Sequence, residues 1–221
     1  MKAILALLVL ANLNAYAGNW PAWRGPHHDG TCDETGLPVT WSSTENVAWK
    51  AELPDRGNST PVIWGNTVFI TQAIEKEGRR MLIAFDKKTG KELWREGVVY
   101  KDAEPTHGTN PFCSASPATD GERVVVSFAS AGVYCYSMTG KPLWKRDLGP
   151  QHHIWGNGAS PVLVGDMCLL NHGPGEKATL YALDKKTGKM RLSRKSLLPR
   201  PPGMEDNGGG DNGVPPPPSF D

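Results

Sequence analysis

The chain has 221 residues, with 24 Lys and Arg against 23 Asp and Glu and a formal net charge of +1. That length is enough for one domain with a substantial core. The balanced charge gives no reason to expect nucleic acid or an anionic membrane as a partner.

The first element is an address. Met1 and Lys2 give a positive start, residues 3–11 form an apolar run, and Ala15-Tyr16-Ala17 is a small-x-small cleavage site. The pattern reads as a signal peptide over residues 1–17, cut near Ala17, and implies a secreted or periplasmic protein. The apolar run is too short to span a bilayer, which takes about 20 residues. No Cys follows it to carry a lipoprotein anchor, and no later segment is apolar enough to span. The four cysteines are Cys32, Cys113, Cys135 and Cys168. In an exported chain an even count permits two disulfides, in three pairings. The alternative is that Cys135 and Cys168, both in β-like runs, are buried strand residues. None forms a C-x-x-C pair, which disfavours a zinc ribbon or a redox motif.

Beyond residue 58 the chain repeats itself. Three segments open on Thr60-Pro61, Ser116-Pro117 and Ser160-Pro161. They close on Asp86-Lys87-Lys88-Thr89-Gly90-Lys91-Glu92-Leu93-Trp94, on Ser137-Met138-Thr139-Gly140-Lys141-Pro142-Leu143-Trp144 and on Asp184-Lys185-Lys186-Thr187-Gly188-Lys189. Pro suits the start of a strand, where its missing N–H is tolerated. A polar turn follows, then a β-branched run at residues 67–71, 123–127 or 167–170. A third run leads into Thr-Gly-Lys, where Gly90, Gly140 and Gly188 are free to reverse the chain. A fourth run carries Leu-Trp in the first two segments. Four short antiparallel strands about every 45 residues define a propeller blade, which cannot bury both faces alone. The fold class is all-β, with three four-stranded blades at about 59–97, 114–148 and 158–189. Trp94 and Trp144 belong between blades.

After Lys189 the pattern breaks, and residues 190–221 read as an aberrant Pro/Gly-rich tail, either disordered or frameshifted. The codons for Asn212 through Pro216, read in the shifted frame, permit Trp-Ser-Ser-Pro, the way another blade would open.

These repeats resemble the PQQ (pyrroloquinoline quinone)-type β-propeller repeats of the quinoprotein-like superfamily. The opening of its exported members is matched by Trp20-Pro21-Ala22-Trp23-Arg24-Gly25-Pro26, Gly36-Leu37-Pro38, Trp41 and Asn46-Val47-Ala48-Trp49-Lys50. The resemblance covers about residues 19–189. It implies a parent propeller of seven or eight blades, of which about three are present. It also implies that a strand within residues 18–58, for which residues 47–50 are the candidate, completes the last blade. The superfamily holds both enzymes and plain scaffolds, including the propeller scaffold of outer-membrane protein assembly, so the fold implies no reaction.

Enzymes of this resemblance bind PQQ with Ca²⁺ and use stacking aromatics, a disulfide between adjacent cysteines and an Asp base. The chain has no adjacent Cys pair and no C-x-x-C-H haem motif. Asp86 and Asp184 precede Thr-Gly turns, where Asp satisfies turn backbone. The remaining candidates are loop residues that share a rim or channel: His107, Asn110, His152, His153 and Asn157. The leading expectation is an exported binding or scaffold module for a protein or carbohydrate ligand. The alternatives are a fragment of a PQQ-dependent dehydrogenase acting on alcohols or sugars, and a truncated product without function. PQQ with Ca²⁺ enters by resemblance only.

Overall fold

The computed structural model describes residues 18–175 and 178–195. Its strands are β1 Val62–Trp64, β2 Thr67–Ile74, β3 Arg79–Asp86, β4 Glu92–Val99, β5 Ala118–Thr119, β6 Arg123–Ser127, β7 Val133–Ser137, β8 Pro142–Arg146, β9 Val162–Val164, β10 Met167–His172, β11 Thr179–Asp184 and β12 Met190–Lys195. They form three antiparallel sheets, β1 to β4, β5 to β8 and β9 to β12, each a simple meander. The all-β, partial-propeller expectation is met.

The middle blade explains the unbroken apolar run Val124-Val125-Val126. Every residue of β6 is buried because blades lie on both of its faces. Val124, Val126 and Tyr136 face blade 1 and pack with Val62, Phe69, Leu82 and Ala84. Val125, Val133 and Cys135 face blade 3 and pack with Cys168, Leu170 and Leu183. Each fully buried aliphatic side chain contributes about 1.5–3 kcal/mol.

The Thr-Gly reversals share one construction. Asp86 Oδ1 accepts from the Thr89 amide and the Thr89 hydroxyl, both at 2.8 Å, and Asp184 does the same for Thr187 at 2.9 and 3.0 Å. These bonds hold both carboxyl groups below the usual carboxylate range, at Asp184 together with the larger effect of the Arg191 guanidinium. A register shift follows in each blade at the same place, between Ala84 and Phe85, Cys135 and Tyr136, and Ala182 and Leu183.

Three tryptophans dock on these turns. Trp49 Nε1 donates to the Lys87 carbonyl (2.8 Å), Trp94 to that of Met138 (3.1 Å) and Trp144 to that of Lys185 (3.0 Å). Each ring lies against the turn glycine, so a Cβ there would come within 2.5 Å of Trp49 at Gly90, 2.9 Å of Trp94 at Gly140 and 2.6 Å of Trp144 at Gly188. The glycines have φ of +69°, +86° and +67°, which L side chains adopt at a cost.

Outside the three sheets, residues 47–50 form no strand with any of the blades present. They run as a strap whose Trp49, with Ala51 and Leu53, covers Val68, Met81, Ile83 and Phe85 on the outer face of blade 1. The bridge from the N-terminal segment is made instead by Trp20, which exchanges backbone bonds with Ile63 at 2.9 and 2.8 Å. Blade 3 does not stop at Lys189 but extends to Lys195, because β12 pairs with β11 despite lacking Leu-Trp. Of the two readings open for the cysteines, the buried-strand one holds for Cys135 in β7 and Cys168 in β10, and all four cysteines are unpaired. The signal peptide and the tail from residue 196 lie outside the described residues.

Candidate functional site

In every blade the first and third turns lie at one end. The opposite end carries the connections between blades, residues 100–117 and 147–161, and the N-terminal loop around Trp23. A cavity of about 530 Å³ opens there. Ala22, Ala159, Pro161 and Val162 form its apolar wall, and Trp23, Asn58, Asn110, Ser114, Ser116 and Ser160 supply its aromatic and polar groups. Arg24 and His28 are the ionisable residues on it. The Arg24 guanidinium lies 5.8 Å from the Trp23 ring centroid and donates to the Asp29 carbonyl at 3.1 Å.

The cavity wall is stitched from blade to blade by the Ser/Thr-Pro pairs. The Thr60 amide donates to Ser116 Oγ at 2.8 Å, and the Ser116 amide donates to Ser160 Oγ at 2.9 Å. Asn58 Nδ2 reaches the Thr109 carbonyl at 2.9 Å. The two serines thus accept from a neighbouring blade and keep a hydroxyl proton to donate.

The predicted rim residues all lie at this end but not around one point. Asn110 lines the cavity, and its Nδ2 donates to the Trp155 carbonyl at 2.5 Å. The His107 ring packs on Trp155 with centroids 4.6 Å apart, and His107 Nδ1 bonds Thr109 Oγ1 at 2.8 Å. His153 Nδ1 accepts from the Trp155 amide at 3.3 Å, and His152 is exposed. Asn157 is tied elsewhere, donating to the Gly173 carbonyl at 2.6 Å. Trp155 therefore joins His107, Asn110 and His153, while His152 and Asn157 stand apart.

Sequence reasoning missed Trp155, Trp23, Asn58 and the bridging serines. Ser116 and Ser160 were visible as strand openers, but a bond to a neighbouring blade has no local signal. It also missed Arg80. The Arg80 side chain is 5% exposed and pairs with Glu104 (2% exposed) at 2.7 Å. It donates to the Phe128 carbonyl at 2.5 Å and lies between the rings of Tyr100 (4.8 Å) and Phe112 (4.6 Å). This ion pair pins the connection 100–117 to both flanking blades.

The described residues do not fit a divalent cation. No group of three or more His, Cys, Asp or Glu among them is placed to hold a metal ion, and the cavity has no carboxylate. Calcium takes six to eight oxygen ligands. Burial pushes the thiols of Cys113, Cys135 and Cys168 up to about 12, which keeps these three protonated and inert.

Blades of four antiparallel strands, stacked face to face and repeated about an inner edge, define an arc of a β-propeller. A family model described as outer membrane protein assembly factor BamB, of the PQQ-type repeat, matches residues 31–133 and, overlapping, 79–196. The chain belongs to that repeat family. No curated protein sequence matches it. Among solved structures it is similar to a europium-containing methanol dehydrogenase (18% identity, TM-score 0.53, covering 67% of this chain and 27% of that one). It is also similar to quinohemoprotein alcohol dehydrogenase ADHIIG from Pseudomonas putida HK5 (17%, TM-score 0.50, 66% and 22%). BamB from Moraxella catarrhalis aligns at 16% identity and a TM-score of 0.43, covering 68% of this chain and 55% of that one. The chain spans about a quarter of the length of the two dehydrogenases. No helix among the described residues is long and apolar enough to cross a membrane.

Proposed function

We propose that the chain is an exported, non-catalytic propeller module that binds a protein partner as part of a scaffold. The observation that carries this reading is the lining of the cavity at the connection end. Amides, hydroxyls and one exposed indole suit recognition, whereas no carboxylate, activated thiol or metal donor set is at hand for a reaction. The family description, that of an assembly factor, supports the same reading. The exposed Ile154 and Trp155 beside the cavity add an apolar contact area of the kind protein partners use.

The competing reading is a PQQ-dependent dehydrogenase, favoured by the fold it shares with a methanol dehydrogenase and a quinohemoprotein alcohol dehydrogenase. The test is reconstitution with PQQ and Ca²⁺, read by absorbance and by a dye-linked alcohol or sugar oxidation assay. The binding reading expects no turnover and no cofactor spectrum. Turnover that Asn110→Ala and Trp23→Ala abolish would reverse it.

A further inference from the structure

The cavity at the connection end offers a partner many donors and no negative charge. No Asp or Glu lines it. Ser116 Oγ already accepts from the Thr60 amide and Ser160 Oγ from the Ser116 amide, so each hydroxyl keeps a proton to give. Asn58 and Asn110 each commit Nδ2 once, to the carbonyls of Thr109 and Trp155, and a carboxamide nitrogen carries two hydrogens.

Arg24 adds a positive charge. Among the described residues Arg56, Arg79, Arg80, Arg95, Arg123 and Arg191 each pair with a carboxylate. Arg24 does not, because the aspartates of its own loop are engaged elsewhere. Asp29 Oδ1 accepts from the Thr31 amide at 2.8 Å and the Thr31 hydroxyl at 2.7 Å, and Asp33 bonds His27 at 3.2 Å. The Arg24 guanidinium gives one bond to the Asp29 carbonyl and keeps its other N–H groups. Beside the cavity stands an apolar tip, with Ile154 68% and Trp155 48% exposed. Asn110 joins the two, since it lines the cavity and binds the Trp155 carbonyl.

We infer that the partner presents an acidic segment flanked by apolar residues. An Asp or Glu carboxylate of that segment seats in the cavity, on Arg24 and the hydroxyls of Ser116 and Ser160, and a neighbouring apolar side chain rests on Ile154 and Trp155. The inference rests on the protein-binding reading above and adds the chemistry of what is bound. A guanidinium takes a carboxylate through two parallel bonds, which fixes orientation as well as charge. A basic segment does not suit the cavity, since it meets Arg24 and finds no carboxylate there. A neutral oligosaccharide uses the amides and hydroxyls but leaves the guanidinium without a counter-charge and Ile154 without an apolar neighbour.

The test titrates the full chain, labelled with fluorotryptophan, with the capped peptide acetyl-Gly-Leu-Asp-Leu-Gly-amide and its Asn-for-Asp counterpart at millimolar concentration. Fluorine resonances of Trp23 and Trp155, assigned through Trp23→Phe and Trp155→Phe, read the binding. The Asp peptide is expected to shift both indoles and to bind about tenfold more tightly than the Asn peptide, the difference that one charge-assisted bond makes. Added salt should erode that preference. Arg24→Gln, at an exposed position, should remove it while leaving the binding of the Asn peptide as it was. Equal binding of the two peptides at both indoles overturns the acidic preference and leaves the protein-binding reading standing. A preference that survives Arg24→Gln overturns the seat assigned to the carboxylate. Silence from both peptides overturns the inference, and maltohexaose shifting Trp23 where neither peptide does overturns the protein-binding reading with it.

Discussion

The tryptophan and glycine contacts between blades show how a single residue sets an interface. Gly188 and Gly165 both have positive φ, +67° and +55°, but only Gly188 lies under a ring, with nothing within 4 Å of a Cβ at Gly165. Gly165→Ala is expected to cost about 1–2 kcal/mol, the left-handed penalty alone. Gly188→Ala should cost roughly 2 kcal/mol more, because Trp144 must leave its turn and give up the bond to Lys185. Urea unfolding of the two variants reads the difference. Arg80→Met leaves Glu104 charged and buried without its partner, which costs about 3–5 kcal/mol. Adding Glu104→Gln should restore a large part of that loss, and equal losses in the single and double variants would show that the pairing is not what matters.

His172 supplies a pH response. It is 3% exposed, and burial lowers its pKa below the ordinary 6.5, against the bond to the Gly149 carbonyl. The unfolded chain therefore holds more protons than the folded chain between that lowered value and about 6.5, and stability falls as pH drops through this window. His172→Phe should flatten the urea midpoint between pH 7 and pH 5 relative to the native chain. An unchanged slope would assign the pH dependence to other groups.

At the scale of elements, the strap and the strands differ in how they are held. The strands were legible in the sequence because their signals are local. Ser/Thr-Pro opens β1, β5 and β9, β-branched runs form the second strands, and Asp-x-x-Thr-Gly closes its own turn with its own side chains. A strand at residues 47–50 is what the family resemblance implies, and no local signal in those residues marks them as a strap. It makes no ladder, and what holds it is the Trp49 bond to Lys87, 38 residues away, and burial against β2 and β3. The continuation of blade 3 to Lys195 was missed for the opposite reason. Leu192 occupies the register of Trp94, so the strand forms where the expected residue is absent. The candidate site was the least legible part, since Asn110 and Trp155 meet across 45 positions. Trp49→Ala should expose Val68 and Phe85, with a loss of about 3–5 kcal/mol and increased binding of a hydrophobic dye. A variant as stable as the native chain would mean that the strap is held by Leu53 and the Gln72 bonds to the carbonyls of Asp55 and Arg56 instead.

For the whole molecule, the three blades behave as a short one-dimensional array whose stability is a sum of blades and nearest-neighbour contacts. One end is capped by the strap and, among the described residues, no element covers the other, so local stability should be graded. Amide exchange is expected to be slowest in β2, β3, β6 and β7 and fastest in β12, where every residue is exposed. A uniform rate across the three sheets would contradict an array and indicate one cooperative unit.

The indole contacts all point the same way along the chain. Each tryptophan belongs to the earlier segment and each glycine turn to the later one. A ribosome delivers the segments in that order, so every finished blade waits with its indole unplaced until the following turn emerges. The strap follows the same order, since Trp49 precedes blade 1 and waits for Gly90. The stretches of chain from Gly90 to Gly140 and from Gly140 to Gly188 therefore set how long each apolar face stays open to the wrong neighbour.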